Sequence, residues 1–425
     1  MNTLTDLMQH WASQTPAAVL YTSRDLQGQI TESYTCSSFN ARVNFVAQRL
    51  AENDIVRQGE PVLLIYPPGL EGIVAFMACV KNGAIPAPAP WPDRISGRAG
   101  AERIDHMRAD CSARVVLTVS ESIDRLKEPM NGSARSVEWI STDTWRGSQD
   151  EFQTSHCETL FLQYTSGSTD LPRGVIVTHE NVIHNSSIVL DLVGGECCGV
   201  SWLPFHHDMG LIGFYLFAIA RGGVTHLISP TDFLKRPRVW FETITETSAT
   251  VTSAPNFGYQ YCLRKNKVPD EALNDFDLSS LRLMMNGAEP VDPATMESFA
   301  DRFGPCGLNR DALVAIYGLA EHTLAVTSGG RRVFDPAARA APSVRGLCAS
   351  QTRQPIMSCG SPLPSVEVRI VDPNENARLP DGRLGEIWLH GESVTNGYWG
   401  HNHQEANSLF AAGLHSEGNG TDKLY

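Results

Sequence analysis

The densest group of potential phosphate ligands in the sequence is a short turn of hydroxyl side chains around a glycine. It is Tyr164-Thr-Ser-Gly-Ser-Thr169, after the apolar strand predicted at Leu160–Gln163. Hydroxyl and backbone N–H groups on such a turn donate hydrogen bonds to an anion, and Arg173 adds a positive charge. The Gly-Lys-Ser/Thr of the common ATP-binding loop is missing from the segment. The pattern predicts a phosphate site of another kind, although Ser/Thr-rich turns also occur on ordinary surfaces.

A second candidate, Tyr317-Gly-Leu-Ala-Glu321, lies at the end of the strand predicted at Ala312–Ile316. A tyrosine ring can stack on a base, and a carboxylate four residues later can bind Mg²⁺ beside phosphates. Ligands of open α/β sheets bind at the carboxyl ends of strands, so Asn286-Gly-Ala-Glu289 is expected at the same edge. The plainer alternatives are a glutamate at a helix N-terminus and an ordinary strand-to-helix turn.

The third candidate is a pair of histidines in the segment Trp202-Leu-Pro-Phe-His-His-Asp-Met-Gly210. Adjacent side chains such as His206, His207 and Asp208 rarely converge on one ion, and no further ligand has fitting spacing, which argues against zinc. A histidine packed at the mouth of a pocket is the favoured interpretation. The apolar run Leu211–Ala220 behind it is either protein core or the wall of a hydrophobic channel, and the sequence alone favours neither.

Short apolar runs alternate with helical patterns along most of the chain, which is typical of an α/β fold. Continuous Val, Ile and Leu strands are buried on both faces, so they predict parallel sheets covered by helices. Residues 329–355 have little periodicity, and the alternation that follows them predicts a small antiparallel β subdomain. The predicted strands are Pro61–Tyr66, Arg114–Val119, Thr225–Ser229, Ala249–Ser253, Leu281–Asn286, Ala312–Tyr317, Val366–Ile370 and Glu386–His390, with helices at Leu70–Lys81, Val239–Glu246 and Ala294–Phe303.

Composition and charge exclude several classes of protein. The chain has 425 residues and a net charge of -13, which argues against a nucleic-acid partner. Its most apolar stretch, Val62–Val80, is broken by prolines, glycine and a glutamate, so no transmembrane segment is predicted. The 10 cysteines form no C-x-x-C pair, which favours reduced thiols and a cytoplasmic location.

The combination and order of these motifs resemble the adenylate-forming superfamily of acyl-CoA synthetases, peptide-synthetase adenylation domains and luciferases. The resemblance is strongest to the fatty acyl-AMP ligases. It rests on YTSGSTDLPRG, SWLP, LPFHHDMG, APNF, NGAEPV and YGLAE, and it runs from about Leu4 to the end of the chain.

The resemblance implies roles for particular residues. The phosphates of ATP would be held by Thr165, Ser166, Gly167, Ser168 and Thr169, and the adenosine by Gly287, Ala288, Glu289, Tyr317 and Gly318. Mg²⁺ would be bound by Glu321 and Thr165, and the catalytic residues would be His207, Arg173 and Glu321.

Two departures from the family pattern concern the phosphate turn. Asp170 stands where the family has Gly, and Arg173 stands where it has Lys. Arginine keeps the charge but changes its geometry. In the family a ribose-binding Asp and a small C-terminal domain follow the segment that ends here at Tyr425. The resemblance therefore implies the large N-terminal domain of a longer enzyme, expected to adenylate slowly by itself.

The resemblance implies ATP-dependent activation of a fatty acid to acyl-adenylate, with ATP and Mg²⁺ as cofactors and an acyl carrier protein or a polyketide or peptide synthase as acceptor. A fatty acyl-CoA ligase and a non-catalytic nucleotide- or acyl-binding module are the alternatives. We predict α/β subdomains over about 1–200 and 201–328, an insertion over 329–357 and a β subdomain over 358–425.

Overall fold

The computed structural model describes residues 1–92, 97–127, 137–165, 171–334 and 355–400. Its strands are β1 Val19–Arg24, β2 Ile30–Thr35, β3 Pro61–Leu64, β4 Ile85–Pro88, β5 Val115–Thr118, β6 Glu138–Ser141, β7 Thr159–Thr165, β8 Arg173–Thr178, β9 Cys198–Ser201, β10 Val224–Ile228, β11 Val251–Ala254, β12 Leu283–Asn286, β13 Leu313–Gly318, β14 Ala325–Gly330, β15 Val333–Phe334, β16 Ile356–Met357, β17 Ser361–Pro362, β18 Glu367–Asp372, β19 Ala377–Arg378 and β20 Glu386–His390. Its helices are α1 Leu4–Gln14, α2 Cys36–Glu52, α3 Glu71–Lys81, α4 Gly97–Asp110, α5 Ile123–Lys127, α6 His179–Val193, α7 Asp208–Gly210, α8 Phe217–Arg221, α9 Pro230–Lys235, α10 Arg238–Thr247, α11 Asn256–Cys262 and α12 Pro293–Phe303, with a π-helical segment Leu211–Leu216 between α7 and α8.

The larger sheet contains nine strands over the described residues, in the order β17-β14-β13-β12-β11-β9-β10-β1-β2. The strands from β13 to β1 run parallel, and antiparallel strands close both ends. All four residues of β11 are buried, as expected for a strand covered on both faces. The N-terminal strands β1 and β2 join this sheet beside β10. Strand pairing therefore crosses the predicted boundary at residue 200, and the division into subdomains stays a prediction.

The smaller parallel sheet has the order β4-β3-β5-β6. Strand β4 contains Pro86 and Pro88, which lack the backbone N–H that strand pairing requires. The strand accordingly lies at the edge of the sheet, where it pairs on one side. Helix α3 covers this sheet, and Gly72 to Lys81 are all buried. Two parallel sheets with covering helices confirm the predicted α/β class.

Strands β7 and β8 form an antiparallel hairpin that is not hydrogen-bonded into either parallel sheet, although Leu162 of β7 packs in one hydrophobic cluster with residues of the smaller sheet. The sequence predicts the strand Leu160–Gln163 within β7 but not this pairing. Thr165, the last residue of β7, lies opposite Arg173, the first residue of β8. The hairpin therefore holds the two ends of the predicted phosphate turn next to each other.

The last described part of the chain forms small antiparallel sheets, as predicted. Strand β18 pairs with β19 and β20, and β15 pairs with β16. The β15–β16 pair joins the two ends of the predicted insertion, of which residues 335–354 lie outside the described residues. None of the described helices combines the length and hydropathy that a bilayer crossing requires.

Candidate functional site

A cavity of about 430 Å³ opens at the carboxyl ends of three neighbouring parallel strands of the larger sheet. Ser253, Met285 and Ile316 line it from β11, β12 and β13. Ligands of open α/β sheets bind at this edge. Most of the residues around the cavity fall into a polar group and an apolar group, which we call its polar end and its apolar end.

The polar end brings together three predicted site residues from different segments. Thr165 comes from the end of β7, His207 from the turn before α7, and Glu321 from the turn after β13. Arg103 of α4 is also in the wall. Carboxylate, hydroxyl and cationic groups at one place can bind a phosphate chain and its counterion.

The apolar end is built by the run Leu211–Ala220, for which the sequence left two interpretations open. Gly213, Phe214 and Phe217 line the cavity, whereas Leu211 and Leu216 are fully buried in the core. Different faces of the same helical segment therefore lie in the core and in the cavity wall, and a channel for an alkyl chain stays a prediction. The apolar lining of the cavity also includes Val189, Val251 and Leu324.

Glu321 lies in a turn that several hydrogen bonds hold in place. Its backbone carbonyl accepts from the backbone N–H of Thr395 at 2.9 Å and from the Thr395 hydroxyl at 3.1 Å. One carboxylate oxygen, Oε1, accepts from the Tyr398 hydroxyl at 2.6 Å. Thr323 has a φ of 68°, an uncommon conformation for a β-branched residue, and its hydroxyl donates to the carbonyl of Ser393 at 2.7 Å. Strain of this kind persists only where surrounding contacts determine the backbone.

His207 pairs with its neighbour Asp208, since Nδ1 lies 2.7 Å from the carboxylate oxygen. Burial lowers the pKa of His207, but the hydrogen bond and charge of Asp208 outweigh it, so the pKa is raised overall. His206 behaves in the opposite way, because burial lowers its pKa to about 3 and keeps it neutral. The polar end therefore favours a positive charge on one of the two adjacent histidines.

Arg173 is not among the lining residues described for this cavity, but it contacts the ring of Tyr398. Its guanidinium lies 5.4 Å from the centroid of the Tyr398 ring, within the range of a cation–π contact. Arg173 also lies opposite Thr165 across the hairpin. The remaining turn residues Ser166, Gly167, Ser168 and Thr169, together with Asp170, lie outside the described residues.

Five residues were predicted to hold adenosine, and two of them, Ala288 and Gly318, line the cavity. The others support this edge from nearby. A Cβ on Gly287 would lie 2.6 Å from Cγ1 of Ile316, so glycine permits the close approach of β12 and β13. Glu289 accepts a hydrogen bond from the Phe257 N–H at 2.6 Å. Tyr317 packs beside a hydrophobic cluster that contains Val326.

The donor set at the polar end fits a hard cation held jointly with phosphates. Mg²⁺ is usually bound by one or two protein oxygens and by substrate phosphates, and Glu321 and Thr165 offer such oxygens. Within the described ranges, no cluster of three or more His, Cys, Asp or Glu side chains could hold a metal by itself.

Sequence reasoning missed several residues of the site. Ser253 and Met285 could have been found, because both lie at carboxyl ends of predicted strands. Arg103 belongs to an ordinary polar helix, and Tyr398 to a segment without a recognised pattern. Only the folded chain brings these two to the site.

A second cavity of about 370 Å³ lies between the two parallel sheets. Tyr66 and Trp91 line it from segments after β3 and β4, and Asp25 and Ser229 from segments after β1 and β10. His206 belongs to the walls of both cavities. This residue therefore separates the two.

The arrangement is compatible with a site for a nucleotide and an apolar substrate, and comparison with known proteins identifies the family. Residues 8–399 match the family described as AMP-binding enzyme, and the chain belongs to that family.

Two related proteins and one solved structure show which members of the family this chain is similar to. The medium-chain-fatty-acid–[acyl-carrier-protein] ligase JamA of Moorena producens is 33% identical, with 99% of this chain and 73% of the relative covered. The 4-hydroxyphenylalkanoate adenylyltransferase of Mycobacterium tuberculosis is also 33% identical, over 99% and 70%. The solved structure of a fatty acyl-adenylate ligase from L. pneumophila, in complex with acyl adenylate and pyrophosphate, superposes with a TM-score of 0.83 at 29% identity, over 100% of this chain and 74% of that one. The predicted resemblance to fatty acyl-AMP ligases is confirmed.

Proposed function

We propose that this chain activates a fatty acid as its acyl-adenylate with ATP. The observation that carries the proposal is one cavity whose polar end holds Thr165, His207 and Glu321 and whose apolar end is walled by Gly213 and Phe217. A fatty acid has the same two parts, a carboxylate and an alkyl chain. The chain would occupy the apolar end and place the carboxylate near His207.

In the proposed reaction, a carboxylate oxygen of the fatty acid attacks the α-phosphorus of ATP. The bond between that phosphorus and its bridging oxygen breaks, and pyrophosphate leaves with the bond's electrons. Such displacements depend on positioning and on charge stabilisation. His207, whose pKa is raised by Asp208, and Arg173 would supply positive charge, while Glu321 and Thr165 would hold Mg²⁺, which would neutralise phosphate charge. Ala288 and Gly318 would form the edge that receives the adenosine.

The thiol of an acyl carrier protein is the acceptor that we propose for the second step. Its sulfur would attack the acyl carbonyl and release AMP. Support comes from the relative named for transfer to an acyl carrier protein, which is similar over 99% of this chain. Free coenzyme A is the alternative acceptor.

A single-turnover experiment tests the proposal. The chain is mixed with ATP, Mg²⁺ and one carboxylic acid at a time, and acyl-AMP and pyrophosphate are measured by mass spectrometry and a coupled assay. The acids are medium-chain and long-chain saturated fatty acids and a 4-hydroxyphenylalkanoate. We expect acyl-AMP and pyrophosphate in equal amounts, with a fatty acid as the best substrate.

Other outcomes separate the alternatives. Binding of ATP and fatty acid without acyl-AMP would indicate a non-catalytic module. Faster turnover with the 4-hydroxyphenylalkanoate would assign the apolar end to aryl substrates. Adding a carrier protein loaded with phosphopantetheine, or coenzyme A, to preformed acyl-AMP then identifies the acceptor thiol.

A further inference from the structure

We propose that Tyr398 is a positioning residue that links the metal-binding carboxylate to the phosphate turn. The inference rests on the proposed function, since it assumes that Glu321 binds Mg²⁺ together with ATP. Tyr398 would act through two neighbours, with its hydroxyl on Glu321 and its ring beneath Arg173. It would not itself touch the substrate.

The hydroxyl fixes one half of the Glu321 carboxylate. It donates to Oε1 at 2.6 Å, and this bond leaves the second oxygen, Oε2, for a cation. Glu321 lines the cavity, whereas Tyr398 is not among the lining residues described. The hydrogen bond therefore holds the carboxylate from behind. Partners of this kind orient metal ligands and set their affinity.

The aromatic ring of Tyr398 contacts Arg173. The Arg173 guanidinium lies 5.4 Å from its centroid, so the same side chain that orients Glu321 also supports the cation beside the phosphate turn. Arginine has a long flexible stem and loses rotamer freedom when it is ordered. A ring that holds it in advance reduces the ordering that ATP binding requires.

The backbone around Tyr398 is tied to the elements that carry both partners. Gly397 accepts from the N–H of Ile176 at 2.9 Å, and Trp399 donates to the carbonyl of Gly174 at 2.8 Å, which fixes the segment to β8. Thr395 is bonded to the carbonyl of Glu321. Helix α6 adds further anchors, since the Asn181 amide donates to the carbonyl of Glu392 at 2.9 Å. Tyr398 is thus held in place independently of any ligand.

The experiment separates the hydroxyl from the ring. Tyr398→Phe removes the hydrogen bond to Glu321 and keeps the ring, while Tyr398→Leu removes both. Mn²⁺ replaces Mg²⁺ as the probe, and its affinity for the complex of the full chain with α,β-methylene-ATP is measured by electron paramagnetic resonance. Calorimetry gives the affinity for α,β-methylene-ATP without metal and for a metal-free acyl-adenosine sulfamate.

We expect Tyr398→Phe to weaken Mn²⁺ binding by about 10-fold to 100-fold, the usual effect of losing such a partner. The metal-free ligands should bind it as they bind the wild type. Tyr398→Leu should also weaken metal-free α,β-methylene-ATP, because Arg173 loses its support. In a Glu321→Gln background, Tyr398→Phe should not weaken Mn²⁺ binding further. Tyr398 acts through the Glu321 carboxylate, so its hydroxyl has no effect on Mn²⁺ once that carboxylate is gone.

Tyr261→Phe is the matched control. Its hydroxyl donates to the carbonyl of Leu234 at 2.7 Å, and its ring receives Lys267 at 4.8 Å, but it lies outside the lining described for either cavity. The inference is overturned if Tyr398→Phe binds Mn²⁺ as tightly as the wild type, or if the losses of Mn²⁺ affinity add in the double variant. It is also overturned if Tyr398→Phe loses affinity equally for all ligands and has a lower melting temperature. If the wild type binds neither α,β-methylene-ATP nor Mn²⁺, the proposed function fails as well.

Discussion

At the scale of single residues, the charge of His207 depends on one neighbour. Burial disfavours the imidazolium, yet the Asp208 carboxylate 2.7 Å away raises the pKa overall. A group with a raised pKa keeps its charge to a higher pH. The adjacent His206 has no such partner in the contacts described, and its pKa is lowered to about 3. The pKa values of two neighbouring histidines are thus shifted in opposite directions by their surroundings.

Replacing Asp208 with Asn should reverse the shift at His207. The attraction is lost while burial remains, so the pKa of His207 should fall below its ordinary value. A titration followed by carbon–proton NMR of the histidine rings measures it, with His207→Asn to assign the signal. The affinity for an acyl-adenosine sulfamate should fall at neutral pH in the same variant. An unchanged pKa would show that Asp208 does not control this charge.

The apolar end can be tested at Gly213. Among the described residues, the contact that a Cβ there makes within 4 Å is with Leu324 Cδ2, at 3.4 Å, a distance that a flexible side chain accommodates. The larger Gly213→Leu side chain should extend into the cavity and shorten the channel. We expect at least a 10-fold loss of affinity for a long-chain fatty acid, or about 1.4 kcal/mol, and little change for AMP, both measured by calorimetry. Equal losses for both ligands would contradict the assignment of this end to the acyl chain.

At the scale of elements, composition and pattern predicted most of the parallel strands. The apolar run Val115–Leu117 of β5 is buried at every residue, and this pattern is visible without a structure. The pairing of β7 with β8 could not be predicted, because their apolar runs look like those of the parallel strands. The same limit applies to β1 and β2, whose position beside β10 depends on contacts distant in sequence.

The edge formed by β13 and β14 leaves no space for a side chain at Gly318. A Cβ at this position would overlap the carbonyl oxygen of Leu324, which accepts a hydrogen bond from the N–H of Leu319 at 3.0 Å. Gly318→Ala should therefore lower the free energy of unfolding by about 1–3 kcal/mol. It should also weaken acyl-adenylate binding, since Gly318 lines the cavity. Denaturant unfolding and calorimetry measure the two effects.

Gly304→Ala is the matched control for that change. Among the described residues, a Cβ at Gly304 meets nothing within 4 Å, and the residue has an ordinary helical φ of -53°. Pro305 follows directly and disfavours helical backbone for a residue with a Cβ, so we expect no stabilisation, but a smaller loss than at the crowded Gly318. If both variants shift stability by the same amount and in the same direction, the crowding at Gly318 is not the cause.

At the scale of the whole molecule, the site depends on how separate segments meet. Motif spacing placed Glu321, His207 and Thr165 on three different strand ends or turns, and the structure brings them to one cavity. The sequence could not show that a second cavity adjoins the first at His206. It also could not assign Tyr398, because the contacts of that residue join parts of the chain more than 70 positions apart.

The most direct test of the central claim is a crystal structure of the full chain with a non-hydrolysable acyl-adenosine sulfamate. The account predicts one ligand in the first cavity, with its adenosine at Ala288 and Gly318, its sulfamate near His207 and its alkyl chain along Gly213 and Phe217. An alkyl chain in the second cavity, or an adenosine away from the ends of β12 and β13, would contradict the assignment of this cavity to acyl-adenylate formation.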